Sequence, residues 1–239
     1  MPCSPRSTRP PAPIVVATPC LLSSGAKNET RLSRVAGRIV RMRRVCGGLY
    51  GGGVDLDPPE PPLSDEVVSL RPWTLDDVPA IVSACNETEI ARWIHQIPSP
   101  YGVRDAREYV LSTQAAWTNG AGAFFAFEER AGGGIAGSIA VHVLDTDLAN
   151  LEVGYWTAAA ARRRGLTTHA LKLISSWALG RAGAERLQLR ADVLNLASLR
   201  VAEKAGFRRE GTLRASGFNA RENRRVDYAV FSLLPEEAA

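Results

Sequence analysis

From residue 67 onward, apolar and polar positions recur with short, regular periods, and the pattern predicts the element order β-α-α-α-β-β-β-α-β-α-β-β. Val67–Arg71 reads as a strand. Thr74, followed by Asp76 and Asp77, caps a helix reaching about Cys85, and residues 86–89 open a second helix with Ile90, Trp93 and Ile94 on one face. Pro98-Ser99-Pro100 ends it. A third helix spans Val103 to Trp117, with Ala106, Val110, Leu111 and Gln114 at helical spacing, and Asn119-Gly120 stops it. Three strands follow: Ala123–Glu128, Ile135–Leu144 after Gly132-Gly133-Gly134, and Leu151–Thr157. A helix over 165–179, a strand over Arg186–Val193, a helix from Asn195 to Ala205, and strands over Phe207–Arg214 and Val226–Leu234 complete the chain. The expected architecture is α/β, a mixed sheet whose central βαβ crossover runs from Leu151 to Val193.

The first 65 residues follow another grammar. Residues 1–50 hold nine Lys and Arg against one acid, Glu29, a local charge of +8 within a chain total of +4. Ten of the fifteen prolines also precede residue 63, and such a segment supplies too little apolar periodicity to offset its ordering entropy. Residues 1–65 are therefore expected to be a disordered basic tail, with a folded domain over 66–239. A transit peptide, a weak tether to anionic partners and a non-functional leader are the readings of this tail, and Met42 offers a start for a shorter product.

Composition narrows the function classes. The chain is 239 residues, 45% hydrophobic and 23% charged, ordinary for a globular protein, and no apolar run of about 18 residues suggests a membrane span. Cys3, Cys20, Cys46 and Cys85 are widely separated from one another and from His95, His142 and His169, so neither a metal site nor a disulfide framework is expected. A reducing, cytoplasmic setting follows. The modest net charge argues against a dedicated nucleic-acid binder.

The most informative stretch is Leu151 to Thr157 followed by Arg162-Arg163-Arg164-Gly165-Leu166-Thr167-Thr168 at the head of a helix. Unpaired amides in a first helical turn, the positive end of the helix dipole and three arginines together suit a diphosphate. A merely solvated basic loop is the competing reading. Neither G-x-x-x-x-G-K-[ST] nor G-x-G-x-x-G occurs, so a nucleotide triphosphatase or a dinucleotide site is not indicated.

Arg162-x-x-Gly165-x-Thr167 resembles the acyl-CoA loop of the GNAT N-acetyltransferases. The segment Asn195-x-x-Ser198-x-x-Val201-x-Glu203-x-x-Gly206-Phe207-x-x-Glu210-Gly211 resembles that of their RimJ/RimL branch, and the resemblance covers about residues 67–235. It implies the GNAT fold, a mostly antiparallel mixed sheet, with acetyl-CoA as co-substrate and no metal. It also implies a pyrophosphate on the amides of Arg164 to Thr168 and a pantetheine arm along the strand that carries Val153 and Tyr155. Asn195 would hydrogen-bond that arm, and the thioester would lie where the strand leaves Arg186–Val193. The acceptor is then a primary amine, on a small molecule or at a ribosomal-protein or peptide N-terminus, and the enzyme a monomer or homodimer.

Glu152 is the first candidate for the base that takes the ammonium proton, against the simpler reading of a polar position on a half-buried strand. Ser198 is the candidate acid for the departing thiolate, against a plain helix-capping hydroxyl. Many GNAT enzymes carry a tyrosine seven residues after the asparagine, where this chain has Ala202. That departure keeps a non-catalytic CoA sensor as the alternative. Tyr155 and Trp156 read as core or wall, and Trp93, His95 and Tyr101 flank the segment that roofs the acceptor pocket in this fold.

Overall fold

The computed structural model describes residues 53–238, so most of the expected tail, residues 1–52, lies outside the described residues. One seven-stranded sheet organises the rest, in the order β1-β2-β3-β4-β5-β7-β6. Its strands are β1 (Val68–Pro72), β2 (Gly122–Glu129), β3 (Ile135–Asp145), β4 (Asn150–Thr157), β5 (Arg186–Asp192), β6 (Arg208–Asn219) and β7 (Arg224–Leu233). The helices are α1 (Val78–Cys85), α2 (Thr88–Trp93), α3 (Val103–Asn119), α4 (Leu166–Leu179) and α5 (Leu196–Lys204). Both faces of the sheet are covered, which explains why the central strands read as almost continuous apolar runs. Period-two alternation sends Phe125, Phe127, Ile139, Val141, Leu151 and Val153 toward α4, where Leu171, Ile174 and Trp177 meet them. Phe124, Ala126, Ala140 and Trp156 face the other way, against Ile81 of α1, Ile90 of α2 and Tyr109 and Val110 of α3. β3 can pass between these layers only because residue 137 is glycine. A Cβ there would lie 2.2 Å from the Trp156 carbonyl and 2.5 Å from the Phe127 ring.

Every strand pairing is antiparallel except β4 with β5, the two strands joined through α4. That parallel pairing is short. It holds at Asn150↔Arg186, Leu151↔Leu187 and Glu152↔Gln188, and then the strands part, β4 following β3 as far as Thr157 and β5 following β7 as far as Asp192. At the fork, Glu152 is 2% exposed and its carboxylate accepts two bonds from Arg190, at 2.5 Å from Nε and 3.0 Å from the second guanidinium nitrogen. Burial pushes this carboxyl above its usual range, against the hydrogen bond and charge of Arg190 and a further bond from Gln188. Held by Arg190 within the sheet, Glu152 does not line the cavity described below, in contrast to the expectation that it faces the reacting amine.

Residues 53–65 also depart from expectation. Leu56 is buried in the core on the α4 side, the Asp55 amide donates to Ala182 O at 2.8 Å, and Arg181 donates to Glu60 O at 2.7 Å. Asp65 accepts the Val67 and Val68 amides and meets His169 Nδ1 at 2.8 Å. This stretch straps the domain, because three apolar anchors, Val54, Leu56 and Leu63, and a set of backbone bonds replace the missing periodicity. β6 runs on to Asn219 rather than stopping at Arg214: shifts in register after Arg209 and Leu213 break the alternation, and Asp227 accepts the Ala215 amide at 2.6 Å inside the second bulge.

Two outcomes follow from this packing. A chain beginning at Gly53 should melt several degrees above one beginning at Glu66, and Leu56→Ala in the longer chain should cost about 2 kcal/mol, the low end for a buried leucine. Thermal melts of the three proteins measure both. Arg190→Leu should cost about 3–5 kcal/mol by stranding the Glu152 carboxylate, whereas the double change Glu152→Leu with Arg190→Leu should recover much of it; urea unfolding of the single and double variants reads the coupling.

Candidate active site

Beyond the fork, the space between β4 and the β5–α5 connection opens into a cavity of about 530 Å³, within the range of small-molecule sites. Tyr155, Trp156 and Thr157 of β4 form one wall, Asn195, Ser198 and Val201 form the opposite wall, and the 162–168 loop closes one end. Asn195 is the N-cap of α5, its Oδ1 accepting the Ser198 amide at 3.2 Å. Tyr155 spans the wedge: its hydroxyl donates to Ser198 O at 3.1 Å and lies 2.9 Å from Ser198 Oγ. Burial pushes the Tyr155 phenol upward, so the pair stays protonated and holds an O–H within the cavity wall.

The basic loop takes its shape from two left-handed residues, Arg163 at φ +63° and Gly165 at φ +81°. A non-glycine residue held there marks backbone kept for a purpose, and the glycine next to it accommodates the second reversal at no steric cost. α4 then begins with no side-chain cap on its first amides, so its positive end points into the cavity. The three arginines divide their roles. Arg162 lines the cavity but is ion-paired to Glu87 and donates from Nε to Thr157 O, and Arg164 is ion-paired to Glu129 outside it. Arg163 is exposed, lines the cavity and has no ion-pair partner among the described residues.

Among the expected site residues, Tyr155, Arg162, Arg163, Gly165, Thr167, Thr168, Asn195 and Ser198 therefore come together around one cavity. Thr167 also meets Thr157 hydroxyl to hydroxyl at 2.6 Å, tying the start of α4 to the end of β4. Glu152, Val153, Arg164 and Leu166 do not line it. Val153 and Leu166 point their side chains into the core, leaving only their backbone for a ligand, and Arg164 is drawn off by Glu129. His142 is packed edge-on to Phe124 at 4.7 Å, and His169 is held by Asp65.

The α2 side of the cavity carries the roof that Trp93, His95 and Tyr101 are expected to flank, and of these three Trp93 lines the cavity. Glu89, Ile90, Trp93 and Ile94 roof it, with the Trp93 indole donating to Glu89 at 3.2 Å and the Arg92 guanidinium 4.5 Å above the ring. A smaller chamber, lined by Arg92, Trp93, His95, Asp192, Asn195, Asn219 and Tyr228, adjoins it through Trp93 and Asn195. The β6–β7 turn clamps this roof: Asn219 donates to Arg92 O at 3.1 Å, Arg221 to Ile97 O at 2.5 Å, and Arg92 to Glu222 at 2.8 Å. The chain separations of these contacts, 124 to 130 residues, kept them out of reach of local pattern; only the polarity of 219–224 inside an otherwise strand-like end hinted at them.

Comparison with known proteins places this geometry. The chain is 28% identical over 156 residues to YdaF of Bacillus subtilis, provisionally named a ribosomal N-acetyltransferase, covering 64% of this chain and 81% of that one. Its fold matches that of Mycobacterium smegmatis RimJ in complex with CoA-disulfide, with a TM-score of 0.63 and 21% identity, covering 74% of this chain and 87% of the other. It also matches the microcin C7 self-immunity acetyltransferase MccE in complex with acetyl-CoA and AMP, with a TM-score of 0.63 and 19% identity over 75% and 99% of the two chains. The family model described as Acetyltransferase (GNAT) domain matches residues 68–208, more than half of the chain and the whole span from β1 to the start of β6. A sheet forked between β4 and β5, with an uncapped helix start beside the fork, is thus carried by a chain that belongs to the GNAT family of acetyltransferases.

Proposed function

We propose that the enzyme transfers an acetyl group from acetyl-CoA to a primary amine by direct attack within a ternary complex, in a cytoplasmic setting. The observation that carries this reading is the cavity at the fork, where an open strand edge leads directly to the uncapped start of α4. The diphosphate sits on the amides of residues 164–168 with Arg163 as its principal cation, and the pantetheine arm lies along β4, whose backbone groups beyond Glu152 have no strand partner on that side among the described residues. The Asn195 side chain meets that arm. The thioester then faces the amine across the wedge, and holding the two in register supplies about 7–11 kcal/mol of the barrier. When the thiolate leaves, Ser198 Oγ–H donates to it and the Tyr155 phenol restores the proton on Ser198, a role that the residue at Ala202 cannot fill.

The name of the Bacillus subtilis relative makes a protein N-terminal amine one acceptor class, and small amines are the other. The catalytic domain on this reading is 66–239 with residues 53–65 packed against it, and the functional unit is a monomer or homodimer.

Incubating the protein with acetyl-CoA and a panel of N-terminal peptides and small amines, with products read by mass spectrometry, tests the reading. An acetylated amine with release of free CoA thiol is expected; no product from any acceptor, with CoA still bound, would favour a sensor. CoA at a hundredfold excess over its Kd should stabilise the fold by about 2.7 kcal/mol. Arg163→Ala should raise the CoA Kd about tenfold, the loss of one charged hydrogen bond, while Arg164→Ala, whose guanidinium is already paired to Glu129, should change it far less. Calorimetric titration of the two variants separates them.

A further inference from the structure

With Glu152 tied to Arg190, the site needs another group to take the proton from an acceptor ammonium, and the cavity walls hold few. Asp192 is ion-paired to Arg224 through one carboxylate oxygen and accepts the Leu194 amide with the other. Glu89 sits exposed at the rim, accepting from Trp93. Tyr155 and Ser198 are committed to each other. Apart from the cations Arg163, Arg200 and Lys204, one titratable side chain in the walls has no hydrogen bond or ion pair among the described residues: His95, on the segment that follows α2, half-buried in the small chamber whose other walls include Trp93, Asn195 and Tyr228.

We propose that His95, in the small chamber beside the cavity, accepts the proton of the acceptor ammonium. The assignment rests on the acetyl-transfer reading above and names the base of that same site. Geometry supports it in two ways. The chamber holding His95, about 10 Å³ and so of the size of one water, shares Trp93 and Asn195 with the main cavity, so a single water there can relay the proton from an amine beside Asn195 to the imidazole. The segment carrying His95 is also clamped on both sides, at Arg92 O by Asn219 and at Ile97 O by Arg221, so its backbone is held in place before substrate arrives.

The charges around the ring suit the task. From the β6–β7 turn and β7, Arg221 and Arg224 face it; from β5, Asp192; from α2, Arg92, itself paired to Glu222; and Tyr228 closes the chamber. Burial first, then Arg221 and Arg224, lower the imidazole pKa below its ordinary value of 6.5, and Asp192 opposes them only in part. A neutral imidazole at pH 7 is therefore ready to accept. The proton balance closes. The ammonium N–H bond breaks and its proton goes to the imidazole; the freed nitrogen pair forms the bond to the thioester carbon; the C–S bond breaks as the intermediate collapses. The tetrahedral intermediate then loses its second N–H proton through water to the Tyr155 oxygen, replacing the one passed by way of Ser198 to the thiolate, and His95 returns its own to solvent.

The test is the pH profile of kcat/KM for wild type and His95→Gln with acetyl-CoA and an amine that wild type acetylates, alongside CoA titration of both. Wild type should show an acidic limb with a midpoint below 6.5. His95→Gln should keep its CoA Kd, lose about 10²–10⁴-fold in kcat and lose that limb, and added imidazole should restore part of the rate. An unchanged limb in the variant, or a loss below threefold, overturns the assignment while leaving the transfer reading intact. Where the variant does not fold, the wild-type profile decides: no group titrating below 6.5 in kcat/KM overturns it. No turnover by wild type with any acceptor overturns the transfer reading, and the assignment with it.

Discussion

Two strands that must pair and then part set the terms for the rest of this molecule. β4 and β5 share only three residue pairs because each is bound more extensively elsewhere, β4 to β3 and β5 to β7, and right-handed sheet twist drives those two directions apart. The fork needs a fixed origin. Glu152 and Arg190 supply it, one from each strand, in an ion pair whose carboxylate is almost fully removed from water. Such a pair is costly to bury and gives little net stability over apolar residues of the same volume, but it is intolerant of being half-made. A register slip of β5 by one residue would send Arg190 to the opposite face and leave the carboxylate alone. The same interaction that removes Glu152 from the chemistry thereby sets where the cavity begins.

Everything at the cavity's two ends is arranged by charge relative to that origin. At the loop end, Glu87 and Glu129 take up Arg162 and Arg164, so the three-arginine run presents one mobile cation and a set of backbone amides rather than a dense positive patch. A fixed helix terminus costs no reorganisation when a diphosphate arrives, whereas long side chains must be ordered. Glu87 also accepts the Ala159 amide at 2.9 Å, so the loop's own ion pair fastens the α1–α2 connection to the end of β4. At the far end, Arg224 engages both Asp192 and Glu222, and Glu222 in turn engages Arg92. One chain of charges thus links β5, the β6–β7 turn and α2, and the roof stands in a fixed relation to the fork.

Much of this fold was legible because its signals are local. Alternation in β2 to β4, the glycines after α3 and at the head of α4, and the Asn195 cap each depend on residues within a few positions of one another. What was hidden depended on distance. The 53–65 strap has only Val54, Leu56 and Leu63 as apolar anchors among prolines and acids, and its bonds to Ala182 and Arg181 lie more than a hundred residues away. Glu152 was recognisable as an unusual polar position on a buried strand; that its partner is Arg190, 38 residues on, required the parallel pairing through α4. The bulges in β6 disguised the last third of that strand, and with it the turn that shapes the acceptor side. Binding loops, being built on local backbone conformation, are readable in sequence; a chamber assembled from α2, β5, β6 and β7 is not.

On the proposed transfer mechanism, the alanine at position 202 leaves the proton donor to be supplied from another element. Ala202 is fully buried, packed in the core beneath α5, so nothing projects from it toward the cavity. A phenol nevertheless reaches the first turn of that helix, from Tyr155 on the opposite side of the wedge, and meets Ser198 by both backbone and side chain. Acyl transfer between bound partners asks little of the protein beyond orientation and a place for two protons. Because the fork holds β4 and α5 at a fixed separation, either element can supply the hydroxyl, and the chemistry constrains the position of the O–H rather than the residue number that bears it.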